Sequence, residues 1–289
     1  MTVERIDLYK YFGVKRGIAT GGYITAYLHA ETSELERKVR PAMIVLPGGG
    51  YGMLSEREGE PIAIKYLVNG YQAFVLEYSL HTAYPVPLIE ACLAVAYVRD
   101  NADKFRIDDA KVCAVGFSAG GHLTGMLATV GDGDTAVFDV IGGLKRRFTP
   151  DGVRPNAVVL SYPVVTMFEA THGGSRDVIT GGDESLREKL SVDLRVTDKA
   201  CPAFIWHTFE DDCVDVKNAL MLATAYKKAG VPFGLHIFEK GWHGLSLCNA
   251  ETHNQTEKDI ALAHVGKWAE LSLDFLNARG FVVKVAERK

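Results

Sequence analysis

The chain has 289 residues, of which 47% are hydrophobic and 24% charged, and its formal net charge is −4. These totals are typical of one globular domain, here residues 1–289, whose core is large enough to need no disulfide staples. The mildly negative charge excludes the basic surfaces that bind nucleic acid or anionic membranes, so we expect neither as a partner.

Short apolar runs bounded by glycine and proline predict strands that alternate with helices. In chain order the pattern predicts a strand at 23–28, a charged turn at 31–40, a strand at 42–46, a helix at 61–69, a strand at 73–78, a helix at 87–101, a strand at 111–117, a helix at 119–129, strands at 156–161 and 203–207, a helix at 218–229, a strand at 234–239 and a long helix at 257–278. Strand 42–46 is apolar throughout, which is typical of a parallel sheet buried on both faces. The predicted fold class is therefore α/β, a mostly parallel central sheet with helices on both faces.

Two irregular stretches, residues 131–154 and 164–200, are longer than simple connections between neighbouring elements. Long loops in compact domains are often lids or binding loops. We interpret both as loop insertions near the active site of the single domain. Neither contains an apolar segment large enough to predict a separate cap.

The cysteines and the N-terminus bear on the cellular compartment of the protein. An odd number of cysteines without CxxC spacing predicts neither a disulfide framework nor a zinc site, and reduced thiols suit the cytosol. The first residues are charged and form no signal peptide, and no apolar run approaches the ~20 residues of a membrane span. We therefore expect a cytoplasmic protein without a metal. The sequence leaves its oligomeric state open, homo-oligomers included.

The strongest local signal is Gly116-Phe-Ser-Ala-Gly120, which follows a predicted strand and precedes a predicted helix. A nucleophilic serine needs this placement, because a tight strand-to-helix turn lifts its hydroxyl out of the fold while glycines let neighbouring backbone pass close. The N-terminus of the following helix also favours the negative charge that develops there. The pattern predicts that Ser118 is the nucleophile of a serine hydrolase.

A serine hydroxyl needs a base, and the base needs a carboxylate to orient it. In this type of fold the chain order is serine, acid, histidine. His243 follows the last predicted strand, and Glu210, Asp211 and Asp212 follow the strand before it. Since the carboxyl ends of parallel strands meet at one edge of the sheet, His243 is the predicted base. The residues alone leave the acid open, with Asp211 and Asp212 as the main candidates.

An oxyanion hole is the third component that the chemistry requires. One N–H group should come from Ala119, the residue after the nucleophile, and the others from a glycine turn after an earlier strand. Pro47-Gly-Gly-Gly-Tyr51 is such a turn, because glycines let backbone N–H groups face a substrate without intervening side chains. We predict Gly49 and Gly50 as donors.

These segments together resemble the α/β-hydrolase esterase/lipase family, and within it the acetyl-xylan esterase-like branch of sugar-ester esterases. The resemblance is carried by Pro47-Gly-Gly-Gly-Tyr51, Gly116-Phe-Ser-Ala-Gly-Gly-His-Leu123, His207-Thr-Phe-Glu-Asp-Asp-Cys-Val214 and Gly241-Trp-His-Gly-Leu245, and it extends over residues 23–276. The branch is related to the hormone-sensitive-lipase group, but Pro47 replaces the histidine of that group's His-Gly-Gly-Gly motif.

The resemblance implies an α/β-hydrolase fold without a separate large cap, and no metal or organic cofactor. It carries the family's nucleophile to Ser118 and its base to His243. The family's acid stands in a D-x-x-V pattern, which matches Asp211 and Val214 and selects Asp211 over Asp212. The implied reaction is hydrolysis of a small-molecule ester through an acyl-enzyme, with short acyl groups and acetylated sugars as candidate substrates.

Two other functions remain as alternatives. An amidase of the arylformamidase type could use the same triad, and a non-catalytic α/β-hydrolase could act as a binding module. Of the remaining polar residues, we interpret His122 as a packing residue and His207 as structural. We interpret residues 56–58 as a salt-bridged loop rather than a sugar contact, and we expect Tyr51 to border the acyl pocket.

Overall fold

The computed structural model describes residues 1–31, 34, 38–142 and 148–285. Parts of the predicted charged turn at 31–40 and of the predicted loop at 131–154 lie outside these ranges.

The described residues form one sheet with a largely parallel interior. Its strands are β1 (Thr2–Asp7), β2 (Tyr23–Leu28), β3 (Lys38–Leu46), β4 (Gln72–Glu77), β5 (Ile107–Phe117), β6 (Ala157–Ser161), β7 (Ala203–Thr208), β8 (Phe233–Phe238) and β9 (Lys284–Val285). The order across the sheet is β1-β2-β4-β3-β5-β6-β7-β8, and β9 pairs with β3. Neighbours from β4 to β8 are parallel, whereas β1, β2 and β9 pair antiparallel. The predicted mostly parallel sheet is confirmed.

Helices follow most strands. They are α1 (Leu8–Phe12), α2 (Glu60–Val68), α3 (Val86–Asp100), α4 (Ala102–Phe105), α5 (Ser118–Ala128), α6 (Thr135–Ile141), α7 (Pro150–Val153), α8 (Gly173–Thr180), α9 (Arg187–Leu190), α10 (Val192–Arg195), α11 (Lys217–Ala229), α12 (Glu257–Ala261) and α13 (Trp268–Asn277). Short 3-10 turns lie at Glu56–Glu58, Glu184–Leu186 and Ala263–Lys267.

The apolar strands separate two hydrophobic cores, one on each face of the sheet. In β3, Ala42, Ile44 and Leu46 point into the core formed with α3, α5 and α11. Met43 and Val45 point into the core formed with α2 and α13. The period-two alternation of a strand therefore explains why β3 is apolar at every position from Ala42 to Leu46.

The prediction of one long helix at 257–278 is wrong. The segment divides into α12, the 3-10 turn Ala263–Lys267 and α13. A methyl group added at Gly266 would lie 2.5 Å from the carbonyl oxygen of Leu247, so this part of the chain packs backbone against backbone. This close approach of two backbones lies in the 3-10 turn that interrupts the helix. The helical periodicity of the sequence does not indicate such a contact.

The segment between β6 and β7 contains only short helices, α8 to α10, and no separate large cap. None of the helices in the described part of the chain is both long enough and apolar enough to cross a bilayer.

Candidate active site

Ser118 lies on a strained turn between β5 and α5. It is the first residue of α5 and has a φ of 53°, in the left-handed region that side chains rarely adopt. A methyl group added at Gly120 would lie 2.2 Å from the carbonyl oxygen of Leu46, and one at Gly116 would lie 2.1 Å from Thr124 Oγ1. Both positions therefore need glycine, as the motif requires: Gly120 so that the turn can pack against the end of β3, and Gly116 so that the end of β5 can pack against α5.

Three of the predicted side chains are in direct contact beside this turn. Ser118 Oγ lies 2.8 Å from His243 Nε2, and His243 Nδ1 lies 2.7 Å from Asp211 Oδ2. The three residues follow β5, β8 and β7, so the carboxyl edge of the sheet brings them together. Asp212, the alternative acid, is exposed and makes no contact with the imidazole.

Asp211 is held as a buried carboxylate. Its Oδ1 accepts hydrogen bonds from the N–H groups of Cys213, at 3.0 Å, and Val214, at 2.9 Å. His207 Nε2 lies 3.3 Å from Oδ2. Burial raises the pKa of the Asp211 carboxyl, but the hydrogen bonds from His207 and His243 outweigh burial and hold the pKa below its ordinary value.

The ionised Asp211 fixes the tautomer of His243. A carboxylate can only accept, so Nδ1 of the neutral imidazole must donate its proton to Asp211. Nε2 then carries a lone pair and accepts a hydrogen bond from the Ser118 hydroxyl. This arrangement can remove the serine proton as the hydroxyl attacks an electrophile.

The predicted glycine turn lies against the nucleophile. A methyl group added at Gly48 would lie 3.0 Å from Ser118 Cβ, and Gly49 and Gly50 have φ values of 123° and 65°. We call Gly48–Gly50 the oxyanion turn. Within the described ranges the N–H groups of Gly49 and Gly50 meet no acceptor. The N–H of Ala119 belongs to the first turn of α5, where no helical carbonyl is available.

Glu58 is a functional candidate that the sequence analysis missed. Its side chain is buried, at 3% exposure, and its Oε2 accepts a hydrogen bond of 2.8 Å from Gly48 N–H. Its Oε1 accepts one of 2.6 Å from the Tyr162 hydroxyl. Burial raises the pKa of Glu58, while the hydrogen bonds from Tyr162 and Gly48 oppose that rise.

Tyr162 connects Glu58 to the histidine. Its ring packs edge-on against His243 with ring centroids 5.0 Å apart, and its hydroxyl accepts a hydrogen bond of 3.0 Å from Ser246 N–H. Tyr162 follows β6 at the same edge of the sheet as the other site residues, so the strand-end rule could have found it. Nothing in the sequence marks Glu58 as buried.

The interpretation of residues 56–58 as a salt-bridged loop is wrong. Glu58 binds a backbone N–H and a phenol, and Arg57 donates a hydrogen bond of 3.2 Å to the carbonyl oxygen of Thr252. Where the chain is described, residues 56–58 form no ion pair.

His122 packs beneath the site, as predicted. Its Nδ1 lies 2.7 Å from the Tyr51 hydroxyl and its Nε2 lies 2.8 Å from the carbonyl oxygen of Leu190. Burial lowers the pKa of His122 to about 4, so the ring is neutral. Tyr51 is itself fully buried and supports His122 instead of bordering an open acyl pocket, so that prediction is wrong.

Metal-ligating side chains do not cluster in the part of the chain that the structure covers. No group of three or more histidine, cysteine, aspartate or glutamate side chains there is arranged to hold an ion.

Comparison with known proteins identifies the relatives of this fold. The BD-FAE family model matches residues 28–226. Endo-1,4-beta-xylanase B of Butyrivibrio fibrisolvens is 37% identical over 233 residues, which make up 78% of this chain and 35% of the xylanase. The chain thus spans little more than a third of that protein's length.

Two solved structures resemble the chain over most of its length. An acetyl ester-xyloside bifunctional hydrolase from Caldicellulosiruptor lactoaceticus is 35% identical with a TM-score of 0.75, over 90% of this chain and 89% of the other. The carboxylesterase Cest-2923 of Lactobacillus plantarum is 26% identical with a TM-score of 0.81, over 100% of both chains.

The fold, the strained serine turn and these relatives define a class: the chain is an α/β-hydrolase of the esterase/lipase type. Within that class the chain belongs to the BD-FAE family. The resemblance to acetyl-xylan esterase-like enzymes is confirmed.

Proposed function

We propose that the chain is a serine carboxylesterase that hydrolyses esters of short acyl groups, acetylated sugars among them, through an acyl-enzyme. Ser118 attacks the ester carbonyl while His243 Nε2 takes the hydroxyl proton, and Asp211 holds the imidazole and stabilises its charged form. The observation that carries this proposal is the continuous contact from Ser118 Oγ through His243 to Asp211, with distances of 2.8 and 2.7 Å.

The remaining steps follow from the same groups. The N–H groups of Gly49, Gly50 and Ala119 would receive the negative oxygen of the tetrahedral intermediate. The intermediate collapses, the alcohol leaves with the proton from His243, and an acyl group stays on Ser118. Water then attacks the acyl group with His243 as base, which releases the acid and restores the serine.

Two observations support short acyl groups and sugar alcohols. The segment between β6 and β7 has only short helices, so little apolar surface is available to cover a long acyl chain. A solved relative at 35% identity is an acetyl ester-xyloside hydrolase. Acetylated sugars combine a short acyl group with a sugar alcohol.

Labelling with a fluorophosphonate probe and hydrolysis of p-nitrophenyl acetate test the proposal. Wild-type protein should label and turn over the ester, and Ser118→Ala should do neither. If wild-type protein does not label, the chain is a binding module and the proposal fails. If Ser118→Ala still labels, another residue is the nucleophile. Faster hydrolysis of N-formylkynurenine than of any acetate ester would favour an arylformamidase instead.

Asp211 and Asp212 provide a matched pair for the acid. Asp211→Asn should lower kcat by about 10⁴, because the amide cannot hold His243 in the required tautomer. Asp212→Asn should leave kcat within about twofold, because an exposed carboxylate outside the contact with His243 contributes little. Equal losses in the two variants would contradict the assignment of Asp211.

A further inference from the structure

His172 is a histidine beside the oxyanion turn that the proposed mechanism does not use. It precedes α8, and a methyl group added at Gly50 would lie 3.5 Å from His172 Cε1. The ring is half-buried, and it lies close enough to His243 for a charge on that imidazole to act on it. His172 therefore forms part of the wall of the site.

The hydrogen bonds of Nδ1 fix the tautomer of His172. Nδ1 caps α8, since Ser175 N–H donates to it at 3.2 Å and Ser175 Oγ lies 2.8 Å away. A backbone N–H can only donate, so Nδ1 must accept and the proton of the neutral ring is on Nε2. Burial, followed by the nearby His243, lowers the pKa of His172 and favours this neutral form.

Nε2–H of His172 is therefore a hydrogen-bond donor that the fold leaves available. It has no acceptor among the residues that the structure describes. It is also absent from the buried polar atoms that lack a hydrogen-bond partner, so a ligand can reach it. An accessible donor in the wall of a site is free to bind a ligand oxygen.

The position of the ring indicates which oxygen that would be. The ring lies on the side of Gly50 from which a side chain would project, whereas the carbonyl oxygen of the ester would bind to the N–H groups of the turn. The acceptor is thus an oxygen elsewhere in the substrate. A sugar alcohol supplies hydroxyl and ring oxygens, while a phenol leaving group supplies none beyond the ester oxygen.

We propose that His172 is a specificity-determining residue that donates a hydrogen bond from Nε2–H to an oxygen of the alcohol part of a polyhydroxylated ester. This inference rests on the proposed function, and it names a residue of the same site that binds the alcohol part of the substrate.

Two substitutions separate this contact from the helix cap. Asparagine is a good N-cap whose oxygen reproduces Nδ1, so His172→Asn keeps the cap and removes the distant donor. The amide nitrogen of glutamine reproduces Nε2, so His172→Gln keeps the donor and removes the cap. Each variant is assayed on partially acetylated xylo-oligosaccharides and on phenyl acetate, and its Tm is measured.

We expect His172→Asn to lose about tenfold in kcat/KM on the acetylated sugar and less than about twofold on phenyl acetate, with an unchanged Tm. His172→Gln should have a lower Tm and keep most of the preference for the sugar. Equal losses of His172→Asn on both substrates, no loss on the sugar, or losses that follow Tm in both variants would overturn the inference.

The same assays distinguish a failure of the proposed function from a failure of this inference. If wild-type protein hydrolyses phenyl acetate and Ser118→Ala does not, the esterase proposal stands. A wild-type enzyme that then fails to hydrolyse the acetylated sugar overturns the assignment of His172 and removes acetylated sugars from the proposed substrates, but it leaves the serine-esterase mechanism standing.

Discussion

Glu58 uses both carboxylate oxygens to connect the two halves of the site. One oxygen holds the oxyanion turn through Gly48 N–H, at 2.8 Å, and the other holds the Tyr162 hydroxyl, at 2.6 Å, whose ring packs against His243. In the proposed mechanism, a single side chain would thus position the groups that bind the oxyanion and the group that moves the proton. Both would act on the transition state more than on bound substrate.

Glu58→Gln should therefore lower kcat by about ten- to hundredfold with little change in KM. The amide replaces one acceptor oxygen by a donor, so either Gly48 N–H or the Tyr162 hydroxyl loses its buried partner, at a cost of about 1–3 kcal/mol. Steady-state kinetics on p-nitrophenyl acetate measure the effect. Glu56→Gln, in the same 3-10 turn but exposed, is the control and should leave both constants unchanged. An unchanged kcat in Glu58→Gln contradicts the positioning role.

The residues that sequence alone could predict are those whose roles depend on local geometry. Ser118 is recognisable because its turn needs glycines on both sides, and His243 because it follows a strand in the required order. Glu58 and His207 could not be recognised, because their roles depend on burial and on contacts with distant segments. The interpretation of His207 as structural stays a prediction: its Nε2 lies 2.8 Å from the carbonyl oxygen of Val214 and 3.3 Å from the Asp211 carboxylate, a contact that the sequence does not indicate.

At the scale of elements, the interior strands and the edge strand β8 were predictable from the sequence, whereas β1 and β9 were not. The second halves of β3 and β5, from Ala42 and from Val112, are buried and lack charged residues because both faces of the sheet are covered there, and this pattern is visible in the sequence. β1 lies at the edge of the sheet and has no buried residue, so it lacks an apolar run. An edge strand without an apolar run depends on the neighbour with which it pairs, and a pattern within one segment does not contain that information.

Asn218 holds the loop after β6 against α11. Its Oδ1 accepts hydrogen bonds from the N–H groups of Val165, at 2.9 Å, and Thr166, at 3.3 Å. Its Nδ2 donates to the carbonyl oxygens of Ala170, at 2.8 Å, and Asp215, at 3.0 Å. The side chain is fully buried, so it supplies the partners that this irregular backbone would otherwise lack.

Asn218→Ala should lower the free energy of unfolding by about 3 kcal/mol, because several buried backbone groups lose their partners at once. Urea unfolding measures the difference. Lys228→Ala, at an exposed position of the same helix, should stay within about 0.5 kcal/mol of wild type and serves as the control. A loss below about 1 kcal/mol in Asn218→Ala would mean that water or a shifted loop replaces the lost hydrogen bonds.

At the scale of the whole molecule, the N-terminal part of the sheet is tied to the interior by a buried carboxyl. Glu90 of α3 is fully buried, and its Oε1 accepts hydrogen bonds from Ser79 Oγ, at 2.6 Å, and the Tyr9 hydroxyl, at 3.1 Å. Its Oε2 accepts one of 2.6 Å from Ser79 N–H. Burial raises the pKa of Glu90 to about 7 from an ordinary value of 4.5, although the hydrogen bonds from Ser79 oppose the rise.

This raised pKa makes the stability of the fold depend on pH. Between pH 4.5 and about 7 the folded protein keeps a proton on Glu90 that the unfolded chain has lost. The free energy of unfolding therefore falls as the pH rises and is level above about pH 7.

Glu90→Gln removes this dependence of stability on pH. The free energy of unfolding of Glu90→Gln, relative to wild type, should therefore increase by about 2 kcal/mol from pH 5 to pH 8. Urea unfolding of both proteins across this range measures the increase, and exposed Glu188→Gln is the control. A difference between Glu90→Gln and wild type that stays constant with pH would show that Glu90 is ionised in the folded protein throughout.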